Sequence, residues 1–424
     1  MKRRRRRAVV LSEDAVGLGA VRSLQAGGVP TIVVMVDPME PARFSRFGHK
    51  ILVPKTGDVE GAILEVLSGI QQEPRPVLIP TSDLLAHIVA KHRVQLEEGF
   101  RCCIPPDAAF DVALDKAKDT RFLEGHVPLP HTAQELPASP AELMRRLGLP
   151  IIIKPRTHLD KYGIGWRNVI IRSAADADEF YRASADLFHR VIAQELIPGP
   201  DDALWECIGL FDGTHELVRA FTFRKLATMP AHFGATSRAR SERSDALLEL
   251  AATVGRRVGY VGLGDIDVKY DARDGKFKYL ELNPRLGLCH GFGTRCGINL
   301  TLDAYRQMCG EEIRDRTPQI DGVPFLAVLE ELGGRLHDGD SIVAVLGGLC
   351  SSLMRRPVGP YFAWNDPLPG PMAVVRIAYR FLAKAWRGQL GFSFTKVYGQ
   401  RKAQLRAALP EISVSGSPTR PSAP

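Results

Sequence analysis

Two strand-like runs flank Asp274 and Gly275: residues 264–271, GDIDVKYD, and residues 276–285, KFKYLELNPR. Gly275 suits the left-handed position of a three-residue hairpin loop, 273–275, which centres the hairpin on residue 274. Asp267 and Glu281 then face each other, with Cβ atoms about 5 Å apart. Asn283 shares the face of Glu281, two residues on. Two carboxylates that close repel, and one takes a proton unless a cation sits between them. Two carboxylates and an amide oxygen form a hard donor set suited to Mg²⁺, which commonly binds one or two carboxylates plus substrate phosphates. Ile266, Val268, Leu280 and Leu282 predict that the opposite face is buried. A one-residue slip would undo the pairing, and a solvated face with incidental acids is the competing reading.

The chain around this hairpin has 424 residues, enough for two to four domains, with 45% apolar and 25% charged residues. That composition excludes wholesale disorder and fibrous repeats. No uninterrupted apolar run is long enough for a membrane span, and the basic start is followed by too short an apolar run for a secretory signal. The seven cysteines are scattered without a CxxC pair, which argues against a zinc ribbon or a disulfide scaffold and for reduced thiols.

Charge is uneven. Residues 1–7 hold six Lys+Arg and no acid, and residues 354–424 hold eleven against two acids, within a net charge of +8. The body, 8–353, is therefore mildly acidic, which argues against nucleic acid as a partner and makes the two ends candidates for an anionic surface.

The first hundred residues alternate strands (8–11, 30–36, 51–54, 77–80 and 102–105) with helices (17–25, 59–71 and 83–98), the pattern of a parallel sheet with helices on its faces. Gly17 and Gly19 lack the third glycine of a dinucleotide fingerprint and read better as tight helix packing. From Pro150 onward longer β-rich stretches follow, with a helix over 244–258 that Ser244 caps. Residues 371–387 set Arg376, Arg380, Lys384 and Arg387 on one helical stripe. Such a basic amphipathic helix either lies on an anionic membrane or docks on the protein with its basic side outward. The last ten residues, 415–424, are rich in Ser and Pro and read as disordered.

Taken together, five stretches in order resemble the ATP-grasp superfamily, in its carboxylate–amine ligase branch. They are Asp115-Lys116 before a Pro-x-Pro segment, Lys154 ending IIIKP, the hinge-like QELIPG from Gln194 to Gly199, Arg224-Lys225-Leu226, and Asp267 with Glu281-Leu-Asn283-Pro-Arg285. The resemblance covers about residues 8–330. It implies an α/β protein: a Rossmann-like pre-ATP-grasp domain (1–107), a small ATP-grasp subdomain with linker (108–190), a large subdomain with the metal site (191–330), and a basic helical C-terminal extension (331–424).

The resemblance also implies roles. Lys116 and Lys154 would contact ATP phosphates, and the loop from Lys161 to Gly165 would close over them. This loop, HLDKYGIG, is poorer in glycine than the family's. Gln194 would face the adenine amino group, and the backbone of Glu195 and Ile197 would read the adenine edge. Asp202, or its neighbour Asp201, would hold the ribose. Asp267, Glu281 and Asn283 would bind Mg²⁺, with Mn²⁺ as an alternative. Lys225 and Arg285 would face the transferred phosphoryl group. The implied reaction activates a carboxylate as an acyl-phosphate and joins it to an amine. Bicarbonate activation by a carboxylase-like enzyme and a non-catalytic nucleotide-binding scaffold at a membrane are the alternatives. The substrates would be small molecules meeting between Ser82-Asp83 and the loop after Arg285, in a cytoplasmic protein, membrane-associated or not, with a homodimer open.

Overall fold

A computed structural model describes residues 5–157, 159–230, 232–313, 317–337 and 339–386, organised by three sheets. The first is parallel, in the order His49–Leu52, Thr31–Met35, Ala8–Ser12, Val77–Pro80, Arg101–Cys102. Its central strands are continuous apolar runs buried on both faces, as a sheet covered by helices on two sides requires. The helix Asp14–Ala26 lies so close to the sheet that a Cβ on Gly17 would sit 1.9 Å from Ser12 Oγ, so the glycines serve packing. The helix predicted over 83–98 is two, Asp83–Lys91 and Arg93–Gly99, broken at His92. Strand order reverses beside Ala8–Ser12, which places a crevice at the C-terminal ends of that strand and of Val77–Pro80.

The second sheet is antiparallel, in the order Thr132–Ala133, Val191–Glu195, Ile151–Pro155, Val169–Ile171. The division drawn at 190/191 therefore cuts across one sheet, because Val191–Glu195 pairs with strands on both sides. Alternation sends Ile151 and Ile153 into a core with Leu143, Phe180 and Ala193, and turns Ile152 and Lys154 the other way.

The third sheet is antiparallel, in the order Lys276–Asn283, Gly262–Asp271, Leu204–Phe211, Leu217–Met229, Ala235–Ser241, Pro324–Leu326. The helix Asp245–Val258 covers part of it through Leu247, Leu250 and Val254, and Ser244 caps it by accepting from the Leu247 N–H. Other residues of this sheet, Phe221, Phe223 and Phe325, join Phe292, the first sheet's Val10 and Val33, and Leu18 of the helix Asp14–Ala26 in one continuous core.

The hairpin corrects one expectation and keeps another. Asp271 pairs with Lys276, so the loop has four residues, 272–275, with Gly275 at φ 69°. Asp267 nevertheless pairs with Glu281, because Val268 pairs with Tyr279 and Leu280 is left over as a bulge. Tyr279, not Leu280, takes the core position beside Val268, and Leu280 turns to a cavity.

The C-terminal extension holds the helices Val328–His337, Ile342–Met354 and Pro369–Trp386. Arg376 is not on an exposed basic stripe. It is 3% exposed, and its guanidinium lies 3.2 Å from both Asp14 and Asp37. The side chains of Arg380 and Lys384, and all of Arg387 and the Ser/Pro-rich end, lie outside the described residues. All seven cysteines of the chain are free, and burial pushes the Cys102 and Cys103 thiols up to about 12.

Candidate active site

The second and third sheets face each other across an open cavity. Its lining includes Lys116, Lys154, Gln194, Glu195, Ile197, Lys225, Asp267 and Glu281, which sequence reasoning placed in one site although they span 166 positions, 116–281.

All but Ile197, which lies in the loop after Val191–Glu195, arrive on strands or at a helix start. Lys116 opens the helix Lys116–Leu123, whose N-cap Asp115 accepts from the N–H groups of Ala117 and Lys118. Asp115 is itself held by Arg156, at 2.8 Å. The Lys116 ammonium is 3.2 Å from Glu281. Lys154 donates to Gln194 Oε1 at 2.8 Å, and Gln194 Nε2 donates to Thr132 at 3.0 Å, so both ends of this amide are engaged within the protein. Burial pushes the Lys154 pKa down to about 8; Glu281 pulls it back up and Lys116 adds to the depression. The Glu195 carboxylate faces Arg273 and the His131 N–H. The Ile197 N–H has no hydrogen-bond partner among the described residues, and Ile197 borders the cavity.

Across the cavity, Lys225 lies between two carboxylates. It donates to Asp267 and sits 3.0 Å from Glu206. Glu206 is directly opposite Asp267 on the neighbouring strand. Burial works against the Lys225 charge, but Asp267 and Glu206 outweigh it and hold the ammonium above its ordinary pKa. Burial raises both Asp267 and Glu206, and the Lys225 ammonium opposes both shifts. Sequence reasoning missed Glu206. Its only signal was a single acid inside the apolar strand run LWECIGLF.

Three predicted residues lie outside the cavity lining. Asn283 is adjacent, donating to Asp267 at 3.3 Å. Arg285 is fixed by Asp83 at 2.8 Å, which brings the helix Asp83–Lys91 of the first domain against the hairpin's end, and by Asp265 at 3.7 Å. Asp265 is locked in turn by buried His290, at 2.7 Å. Asp202 pairs with Arg224 at 3.0 Å, while Asp201 pairs with His232 of the lining at 2.8 Å. The loop that begins after Arg156 contains a short helix, Asp160–Ile164, and sends Arg167 and Asn168 to the cavity.

Among the described residues, no group of three or more His, Cys, Asp or Glu side chains is arranged to hold a metal. What the hairpin does provide is two opposed carboxylates and an amide, Asp267, Glu281 and Asn283. The two carboxylates fit a hard divalent cation that takes its remaining ligands from a phosphate substrate, while the Asn283 amide turns its nitrogen to Asp267 and its oxygen to Arg285. Ammonium groups facing carboxylates across an open cavity are the features a phosphoryl-transfer site needs to bind a polyanion and its counter-ion.

A Rossmann-like domain followed by two antiparallel sheets that clasp such a cavity is the ATP-grasp fold. By sequence the chain is similar to the D-aspartate ligase of Enterococcus faecium (strain Aus0004), with 22% identity over 323 residues, 69% of this chain and 74% of that protein. By structure it is similar to biotin carboxylase from Campylobacter jejuni, solved as a β,γ-ATP complex (TM-score 0.60, 15% identity, 75% of this chain and 74% of that one). It is also similar to N5-carboxyaminoimidazole ribonucleotide synthetase from Thermus thermophilus (TM-score 0.55, 19% identity, 74% and 81%). No protein-family model matches the chain.

Proposed function

We propose that this protein is an ATP- and Mg²⁺-dependent ligase that activates a carboxylate as an acyl-phosphate and couples it to an amine, forming an amide. The observation that carries the reading is the pairing of Asp267 with Glu281 beside a cavity that Lys116, Lys154 and Lys225 also line. Lys116 and Lys154 hold the ATP phosphates as compact charges. The Ile197 N–H and the Glu195 backbone take the adenine edge, with Gln194 beside them. Of the two ribose candidates, Asp201 pairs with His232 of the cavity lining and Asp202 with Arg224, which lies outside it. Asp267, Glu281 and Asn283 would hold Mg²⁺, or the chemically similar Mn²⁺, which when bound offsets charge on the transferring phosphoryl group.

The substrate carboxylate attacks the γ-phosphorus and ADP leaves; the amine then attacks the acyl carbon and phosphate leaves. Lys225 and Arg285 stabilise the charge on the phosphoryl oxygens. Arg285 is fixed by Asp83 before substrate arrives, so it loses little ordering entropy when it acts. The carboxylate and the amine enter from the crevice beside Asp83.

The relative found by sequence, a ligase named for an amino acid, favours amide formation. The neighbours by structure favour a second reading, activation of bicarbonate. Phosphate release from ATP, measured across carboxylates and amines with and without bicarbonate, separates them. Release that needs an amine and no bicarbonate supports the ligase. Release that needs bicarbonate supports the carboxylase, and none with any pair rejects both.

A further inference from the structure

The C-terminal segment presents a surface unlike the rest of the molecule. Among the described residues nineteen large apolar side chains are exposed, and twelve of them fall between Ile342 and Tyr379. The helix Ile342–Met354 contains no charged residue. Only Val345 and Leu349 of it are buried, against Leu326, Leu332 and Leu336, while Val343 is 76% and Leu346 54% exposed. Trp364 is 90% exposed. Isolated exposed apolar groups are ordinary; a dozen in one segment mark a surface built to be covered.

The segment is pinned to the body. Arg22 of the first domain pairs with buried Asp366 at 2.9 Å and donates to the Tyr361 carbonyl at 2.9 Å. Arg376 is sunk between Asp14 and Asp37. These contacts anchor the stretch Tyr361–Asp366 and the helix Pro369–Trp386 to the first domain.

Charge selects the occupant. From Ser341 to Pro424 there are eleven Lys+Arg and two acids, Asp366 and Glu411; Arg376 and Asp366 are both taken up in buried ion pairs with the first domain, so the positive excess rests on the remaining ten cations against one acid. A second copy would bring the same positive charge against it. A bilayer containing anionic lipid offers both an apolar layer and negative headgroups, and polybasic segments are drawn to it. Among the described residues no helix is long and apolar enough to cross a membrane. We propose that residues 341–379 form a face that lies on an anionic membrane surface, with Val343, Leu346 and Trp364 entering the headgroup boundary, where Trp is favoured.

The test is co-sedimentation of the full chain with vesicles of phosphatidylcholine, with and without phosphatidylglycerol. Binding is expected only to the anionic vesicles and is expected to weaken as salt rises. Val343→Asp with Leu346→Asp should lower the bound fraction roughly tenfold or more, since each side chain loses apolar burial. Trp364→Ala should lower it less. Both should leave the melting temperature and phosphate release unchanged, because these side chains touch neither core nor cavity. No binding to anionic vesicles at low salt overturns the proposal. So does binding that these substitutions leave intact, or a concentration-dependent dimer that they break.

Discussion

The cavity and the C-terminal face are opposite arrangements of side chains in one chain. Around the cavity charged groups are taken out of water: Lys225 is 6%, Lys116 8% and Glu206 7% exposed, and each lies against an opposite charge. On the face from Ile342 to Tyr379 apolar groups stand in water. Both cost free energy in the isolated protein, because a buried charge loses hydration and an exposed apolar group orders solvent. On the two readings proposed above, each arrangement serves something outside the chain: the cavity a polyanion with its counter-ion, the C-terminal face a membrane surface.

Substitutions should separate the two regions. The largest effect is expected from Lys225→Met, which leaves Glu206 and Asp267 facing each other without a cation. Removing one member of a buried ionic group costs roughly 3–5 kcal/mol, so chemical denaturation should show a loss of that size along with loss of phosphate release. Glu281→Gln keeps the shape and removes one charge. We expect turnover to fall by roughly 10²–10³ while ATP affinity changes less, because the lysines and the hinge remain; near-normal turnover would remove the hairpin from the chemistry.

Next in size is a pH effect at Lys154. Its pKa is lowered from 10.5 to about 8, so it carries its charge below about pH 8 and loses it above. The KM for ATP should rise above that pH, and in Lys154→Gln the rise should be absent. The sign for stability is the reverse. The unfolded chain binds this proton more tightly, so the burial cost of Lys154 is present below pH 8 and relieved as pH climbs toward 10.5. The smallest effect is expected on the exposed face, where Val343→Asp should change unfolding free energy by no more than about 0.5 kcal/mol. A clear stability loss there would mean that the face is covered within the protein.

Much of this was legible in residue order. Alternation of short apolar runs with helices specified the parallel domain, Asp267 and Glu281 were paired from their types and spacing, and Lys116 and Lys154 entered through the resemblance to ATP-grasp enzymes. The hairpin register came out correctly from a loop of the wrong length. A bulge has no compositional mark, and the one at Leu280 cancelled the error. Glu206 was missed because one acid in an apolar strand carries no motif, and its meaning comes from strands that bring Lys225 and Asp267 to it. The stripe through Arg376 was visible, but its direction was not. Helical periodicity shows which residues share a side, whereas the acids that draw Arg376 inward, Asp14 and Asp37, lie more than 330 positions away. The uncharged run from Ile342 to Met354 was available in the sequence and went unread.

Lys225 has two acidic neighbours where one would neutralise it. A divalent ion that draws Asp267 toward itself would strand a lone ammonium in a dry interior if Asp267 were its only companion. Glu206 remains behind as a second anion, so Asp267 is free to change allegiance while Lys225 stays compensated. On the proposed reading, this redundancy would make the exchange of ionic partners on nucleotide loading a small step.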